Sequence, residues 1–227
     1  MPNFSMKVIE LHRSVTESND RDADALREYM KVEKCLLINL MSAPGSGKTT
    51  LLMRLIADLK EELQIGVMEA DIDSDVDAEK IAEAGAKSIQ VHTDGMCHMD
   101  AGMTTDGIRN MDVSGLDVIF LENVGNLICP AEFDTGAGKN MMILSVPEGD
   151  DKPLKYPLMF ETSDALIITK TDTAEYFDFD FEKCRERVRR LNPDIQIFEV
   201  SAKTGEGMDA LENWLNKEVK QWKESGK

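Results

Sequence analysis

Short apolar runs recur along the chain, each ending in a polar turn. Cys35–Met41 reads CLLINLM, the pattern of a strand buried on both faces of a parallel sheet. The glycine-rich turn SAPGSGKTT follows at once, and then LLMRLIADLKEEL, whose apolar residues return at helical spacing. The same alternation continues through SIQVHTD, LDVIFLENVGN, DALIITKTD and IQIFEVSAKTGEGMDAL, each an apolar strand running into a polar turn. Residues 7–30 are polar and broadly amphipathic and read as helix. The pattern predicts an α/β fold in three layers with a mostly parallel sheet, because strands alternating with helices need right-handed crossovers. Residues 1–34 form an N-terminal helical segment, and 35–227 form one domain that carries the chemistry.

Composition narrows the partners. With 227 residues and 42% hydrophobic content, the chain can build a core without disulfide or metal staples. Its formal net charge of −17 argues against nucleic acid or an anionic membrane surface as partner. No apolar run is long enough to span a bilayer, and the N-terminus lacks a basic-then-apolar signal. The expectation is a cytoplasmic protein whose four cysteines stay reduced.

Strand, glycine turn and helix in this order form the context of a phosphate-binding loop. Gly45 and Gly47 let the backbone curl around Ser46 so that successive N–H groups face phosphate oxygens, and the helix adds its positive end. Lys48 is placed to reach the β- and γ-phosphates, and the hydroxyl of Thr49, followed by Thr50, to ligate Mg²⁺. Ser42 stands where the usual pattern opens with glycine.

The base is read from two further turns. Thr169-Lys170-Thr171-Asp172 is similar to the Asn-Lys-x-Asp guanine motif of GTPases, with threonine replacing asparagine. The Asp172 carboxylate can accept two hydrogen bonds from guanine N1–H and N2–H, an edge adenine lacks, while Lys170 can lie along the base plane. Ser201-Ala202-Lys203 resembles the turn that meets guanine O6. A Mg²⁺ and hydrolysis element follows the intervening strand: Glu122 takes the acidic position and Gly125 the γ-phosphate sensor position. Asp71, in a run with Asp73, Asp75 and Asp77, reads either as a Mg²⁺ ligand or water-positioning group, or as part of a solvated acidic face.

A different chemistry enters with GMCHMDA (Gly95–Ala101). Cys97 and His98 head a helix predicted over CHMDAGMTTDGI, at a strand-to-helix turn where adjacent side chains can converge, and Cys129 follows the acidic element. Sulfur and imidazole donors suit Ni²⁺ or Zn²⁺ and not Mg²⁺. Three such ligands leave one position for water or for completion across a dimer. One Cys-His pair alone is weak support for a metal, since free cysteine is often a small buried hydrophobe, as Cys35 and Cys184 are read here. His12 and His92 have no second donor nearby in the chain.

GMCHMDA, ENVGNLICPAEFD and SVPEGDDKPLKYP, together with the phosphate loop, closely resemble the HypB family of SIMIBI-class GTPases, which assist nickel insertion into [NiFe]-hydrogenase. The resemblance runs from about Leu36 to Leu215. It implies a GTPase in which Cys97, His98 and Cys129 form a Ni²⁺ or Zn²⁺ site at a GTP-dependent homodimer interface; slow hydrolysis is expected, because the sequence identifies no arginine finger or water-positioning glutamine. It also implies a maturation partner and a hydrogenase large-subunit precursor as clients. Many relatives open with Cys-x-x-Cys-Gly-Cys or carry a His-rich stretch, and this sequence, which starts MPNFSMKVIELHRSV, shows neither. Competing readings are a urease-type nickel GTPase chaperone, which would carry Cys-Pro-His, and an ATP-dependent small-molecule kinase, which would lack both guanine turns.

Overall fold

The computed structural model describes residues 12–71, 81 and 84–226. After helix α1 (His12–Val32), the chain forms β1 (Leu36–Ser42), α2 (Lys48–Leu59), β2 (Ile65–Asp71), β3 (Lys87–His92), α3 (Ala101–Met111) and β4 (Val118–Glu122). A short helix, α4 (Cys129–Glu132), precedes β5 (Lys139–Ser145). Two more short helices, α5 (Lys152–Lys155) and α6 (Pro157–Glu161), lead to β6 (Ala165–Thr169), and α7 (Phe181–Leu191), β7 (Gln196–Glu199) and α8 (Met208–Ser225) complete it.

The seven strands make one sheet in the order β3-β2-β4-β1-β5-β6-β7, and every pairing is parallel. Because side chains alternate along a strand, β1 feeds both faces. Leu36, Ile38 and Leu40 pack with Leu51, Leu55, Ile56, Leu211 and Leu215, under α2 and α8. Leu37 packs with Leu26 and Met30 of α1, and Met41 with Phe160 and Leu166. All seven β1 residues are buried, as a central parallel strand covered on both sides requires. Helix α1 is part of this packing: Ala23, Leu26 and Met30 are at most 4% exposed.

Asn39 is the polar exception in β1. It shares the face of Leu37 and Met41, which belong to separate clusters of the core. Its amide donates to Asn140 Oδ1 of β5 (3.1 Å), and its oxygen accepts from Asn123 Nδ2 just beyond β4 (3.0 Å). A buried polar line thus crosses the centre of the sheet, satisfied by its own members.

Since every strand is parallel, the turns leaving β1, β2, β3, β4, β6 and β7 share one edge of the sheet. In open α/β sheets that carboxyl edge, where neighbouring crossovers diverge, is where ligands bind.

Candidate nucleotide and metal sites

Turn chemistry at the end of β1 shapes the phosphate loop. Gly45 and Gly47 have φ of 74° and 98°, a region that glycine enters freely. Gly47 begins α2 with no side-chain cap, so the first-turn N–H groups and the positive end of the helix face outward. Ser42, the departure from glycine, is fully buried and ties the loop together. Its hydroxyl accepts from Ser46 Oγ (2.6 Å) and Lys48 Nζ (2.9 Å) and donates to Ala43 O (2.8 Å). The lysine expected to reach phosphate is therefore held at the mouth of the loop.

Thr49 and Glu122 come together from α2 and β4: the Thr49 hydroxyl donates to Glu122 Oε1 at 3.1 Å. A hydroxyl beside a carboxylate is an oxygen donor set that fits a hard ion such as Mg²⁺. A cavity of about 370 Å³ opens over Gly45, Gly47, Lys48, Thr49 and Glu122. Asp71 is the last residue of β2; its side chain, and Asp73, Asp75 and Asp77, lie outside the described residues. Gly125 lies against the loop, where a Cβ would stand 3.1 Å from Pro44 Cα and N. The segment after β4 is thereby in direct backbone contact with the phosphate loop.

A second cavity of about 280 Å³ adjoins the first and is lined by residues that include Thr50, Lys170, Asp172, Ala202 and Lys203. Ser201 is buried; its hydroxyl donates to Asp172 Oδ1 (2.7 Å) and accepts from the Thr204 N–H (3.2 Å), which fixes the carboxylate. Lys170 takes the left-handed conformation at φ 60° and donates to Gly45 O (2.8 Å), so its stem forms a wall between base and phosphate cavities. The Thr169 substitution has a place as well. Its hydroxyl donates to Ser46 O at 2.8 Å, bracing the phosphate loop from the wall of the second cavity.

Cys97, His98 and Cys129 also meet. One ligand atom from each lies within 4.8 Å of the others. Cys97 Sγ is 2.9 Å from Cys129 Sγ and 3.8 Å from His98 Nδ1. Two thiolates on a tetrahedral ion sit about 3.8 Å apart, so loading a metal requires the sulfurs to separate by about 1 Å. His98 is 5% exposed and stacks on Phe133 at 3.9 Å. Its Nε2 is buried without a hydrogen-bond partner among the described residues. Burial holds the imidazole pKa below its usual value, opposed by Asp100 and Glu132, and so keeps the ring in the neutral form a metal needs. Cys97 next door, and then burial, hold the Cys129 thiol above its usual range.

The metal turn ends where the sequence puts a cap. Helix α3 starts at Ala101 and not at Cys97, because the Asp100 carboxylate accepts from Met103 N (2.8 Å) and closes the first turn. Cys97 and His98 therefore stand on irregular backbone, where neighbours can converge. Pro130 in the first turn of α4 likewise leaves Cys129 at a helix start. Sequence reasoning overlooked the residues that join these turns. Asn126 accepts from Ile128 N (2.8 Å) and donates to Cys97 O (3.4 Å). Asn19 of α1 accepts from Ala101 N and donates to Asp134 O, both at 2.9 Å. Asn126 is visible in the sequence only as one of the two asparagines of ENVGN, and Asn19 only as one polar residue among several in VTESND. Cys35 and Cys184 lie in the core, outside the donor cluster found among the described residues.

Among the described residues no helix is long and apolar enough to cross a membrane. Residues 36–199 match the family model for the CobW/HypB/UreG nucleotide-binding domain. The hydrogenase maturation factor HypB of Rhizobium leguminosarum bv. viciae is 42% identical over 216 residues, spanning 95% of this chain and 72% of that protein. The crystal structure of Helicobacter pylori HypB in complex with nickel superposes with a TM-score of 0.86 at 37% identity, covering 90% of this chain and 96% of that one. HypB from Archaeoglobus fulgidus gives 0.84 at 35% identity, covering 89% and 99%. The fold agrees with these solved structures, and the chain belongs to the HypB hydrogenase maturation factors within the CobW/HypB/UreG nucleotide-binding family.

Proposed function

We propose that this chain is a GTP-hydrolysing metallochaperone that delivers nickel for [NiFe]-hydrogenase assembly, with nucleotide state controlling its metal centre and its dimerisation. The observation that carries the reading is the convergence of Cys97, His98 and Cys129 on the same sheet edge as the phosphate loop, with Cys129 on the chain that continues from Glu122. Nickel is cargo here. Two sulfurs and one imidazole bind it firmly, and three donors leave room for release to a client or for a donor from a second copy.

Nucleotide chemistry falls to the other residues. The curled backbone of Gly45–Gly47 and the α2 N-terminus hold the phosphates, and Lys48, released from Ser42, neutralises their charge. Asp172 selects guanine, and Ser201 holds its carboxylate for that role. Thr49 and Glu122, with Asp71 at the end of the adjacent strand β2, would hold Mg²⁺, which would neutralise phosphate charge. Gly125 lies against Pro44 and feels whether the γ-phosphate is present. Hydrolysis is slow, because no arginine finger or water-positioning glutamine is evident in the sequence. The order of events is an ordering switch: loss of the γ-phosphate releases the segment from Glu122 to Cys129 and alters the donor set.

Nickel transfer to an apo large-subunit hydrogenase precursor tests the reading. GTP-loaded wild type should load the precursor, and Cys97→Ala/Cys129→Ala should not. Equal loading by the double variant, or equal support by ATP and GTP, would remove the assignment. The kinase alternative predicts ATP preference; the guanine-type turns speak against it.

A further inference from the structure

Asn123 is 1% exposed and every polar atom of its side chain is used. Its Oδ1 accepts from Val124 N (2.9 Å) and from Met99 N (3.1 Å), and its Nδ2 donates to Asn39 Oδ1 (3.0 Å). Its own N–H donates to Leu40 O at 3.0 Å, on the strand that leads into the phosphate loop. Asn123 follows Glu122, which accepts from Thr49, and precedes Gly125, which abuts Pro44. Met99 follows His98, and its side chain is fully buried. The bond to Met99 N thus joins the nucleotide-facing segment to the metal-bearing turn at its middle, beside the longer contact of Asn126 with Cys97 O (3.4 Å).

That turn is tied at its other end to a different element. Ala101 N donates to Asn19 of α1, and the same Asn19 amide holds Asp134 O. The 97–101 turn therefore hangs between α1 and the segment after β4, where Asn123 holds Met99 N and Asn126 holds Cys97 O. A displacement of Asn123 tilts it about Ala101 and changes the separation of Cys97 from Cys129, which sits on the chain that moves. We propose that Asn123 is a positioning residue that conveys nucleotide state to the metal turn through the Met99 amide. The inference rests on the nucleotide and metal reading above.

Amide hydrogen exchange over residues 96–101 of the metal-free full chain tests it, comparing Mg²⁺·GDP with Mg²⁺ and a non-hydrolysable GTP analogue. In wild type, exchange at Met99 should differ between the two states by about fivefold or more, the usual size of coupling between sites. Asn123→Ala should bind both nucleotides yet bring the two rates within about twofold. Asn123→Ser, whose shorter side chain withdraws the acceptor from Met99, carries the same expectation should the alanine variant not fold. Asn123→Asp keeps the acceptor and should retain the difference. Asn39→Ala opens the same buried network but leaves the Met99 bond, and should retain it as well, which a merely structural role for Asn123 would not predict. Equal rates in wild type, an undiminished difference in Asn123→Ala or →Ser, or a loss in Asn39→Ala as complete as in those variants would overturn the proposal. Because exchange reads an amide and not a metal, failure of Cys97/His98/Cys129 to bind nickel would be seen separately, by titration.

Discussion

Burial separates the four cysteines into two chemical kinds. Cys35 and Cys184 are fully buried, and desolvation pushes each thiol up to about 12, so neither supplies a thiolate at neutral pH. Cys97 is exposed, and Cys129 is half-buried beside it. Nickel binding should therefore weaken as pH falls, since each thiol must lose its proton to ligate and Cys129 starts above its ordinary pKa. Below the thiol pKa values the slope should approach about tenfold per pH unit for each thiol displaced, with His98 adding to it only at low pH, because burial depresses its pKa. Competition titrations between pH 6 and 8 check this; a flat profile would exclude thiolate ligation. At the base site, Asp172→Asn should keep the bond from Ser201 but present an amide N–H where guanine needs an acceptor. GTP affinity should fall by roughly 100-fold or more, with xanthine nucleotide gaining, as measured by nucleotide competition. Unchanged GTP affinity would move the base elsewhere.

At the scale of elements, the turns matter more than the strands and helices they join. Gly125 is the sharpest case, since any side chain there meets Pro44 backbone at about van der Waals overlap. Gly125→Ala should cost about 1–3 kcal/mol through overpacking and slow GTP hydrolysis more than it weakens GDP binding. Thermal unfolding and single-turnover hydrolysis measure the two effects; a variant normal in both would mean that the segment readily gives way. The strands themselves were legible because each apolar run is long enough to be covered on both faces, and the phosphate loop because its glycines, lysine and threonines are contiguous. The helix that CHMDAGMTTDGI predicts starts later, at Ala101, because the Asp100 cap closes its first turn there. The contacts of Asn39, Asn123, Asn126 and Asn19 were not legible. Each joins segments far apart in sequence, and an amide looks the same in a loop, a cap or a buried line.

For the whole molecule, the all-parallel sheet delivers the phosphate loop, the guanine-type turns and the metal turn to one edge. That edge carries the exposed apolar side chains Met96 and Ile128 immediately beside Cys97 and Cys129. Among the described residues three donors converge in each chain, and the proposed shared centre between two copies would supply the remaining ligand. GTP-loaded protein with nickel should therefore elute as a dimer and the Cys97→Ala/Cys129→Ala form should not; a monomer under all conditions would confine the site to one chain. Lys48→Ala should abolish tight GTP binding and, with it, the nucleotide dependence of this assembly. The account stands most directly on calorimetric titration of Ni²⁺ into wild-type protein that is nucleotide-free, GDP-loaded or loaded with a non-hydrolysable GTP analogue, with Cys97→Ala/Cys129→Ala alongside. It predicts tight binding lost in the double variant, and an affinity or stoichiometry that differs between the GDP and GTP-analogue forms by about fivefold or more. Identical isotherms in all three nucleotide states, or undiminished binding by the double variant, would contradict it.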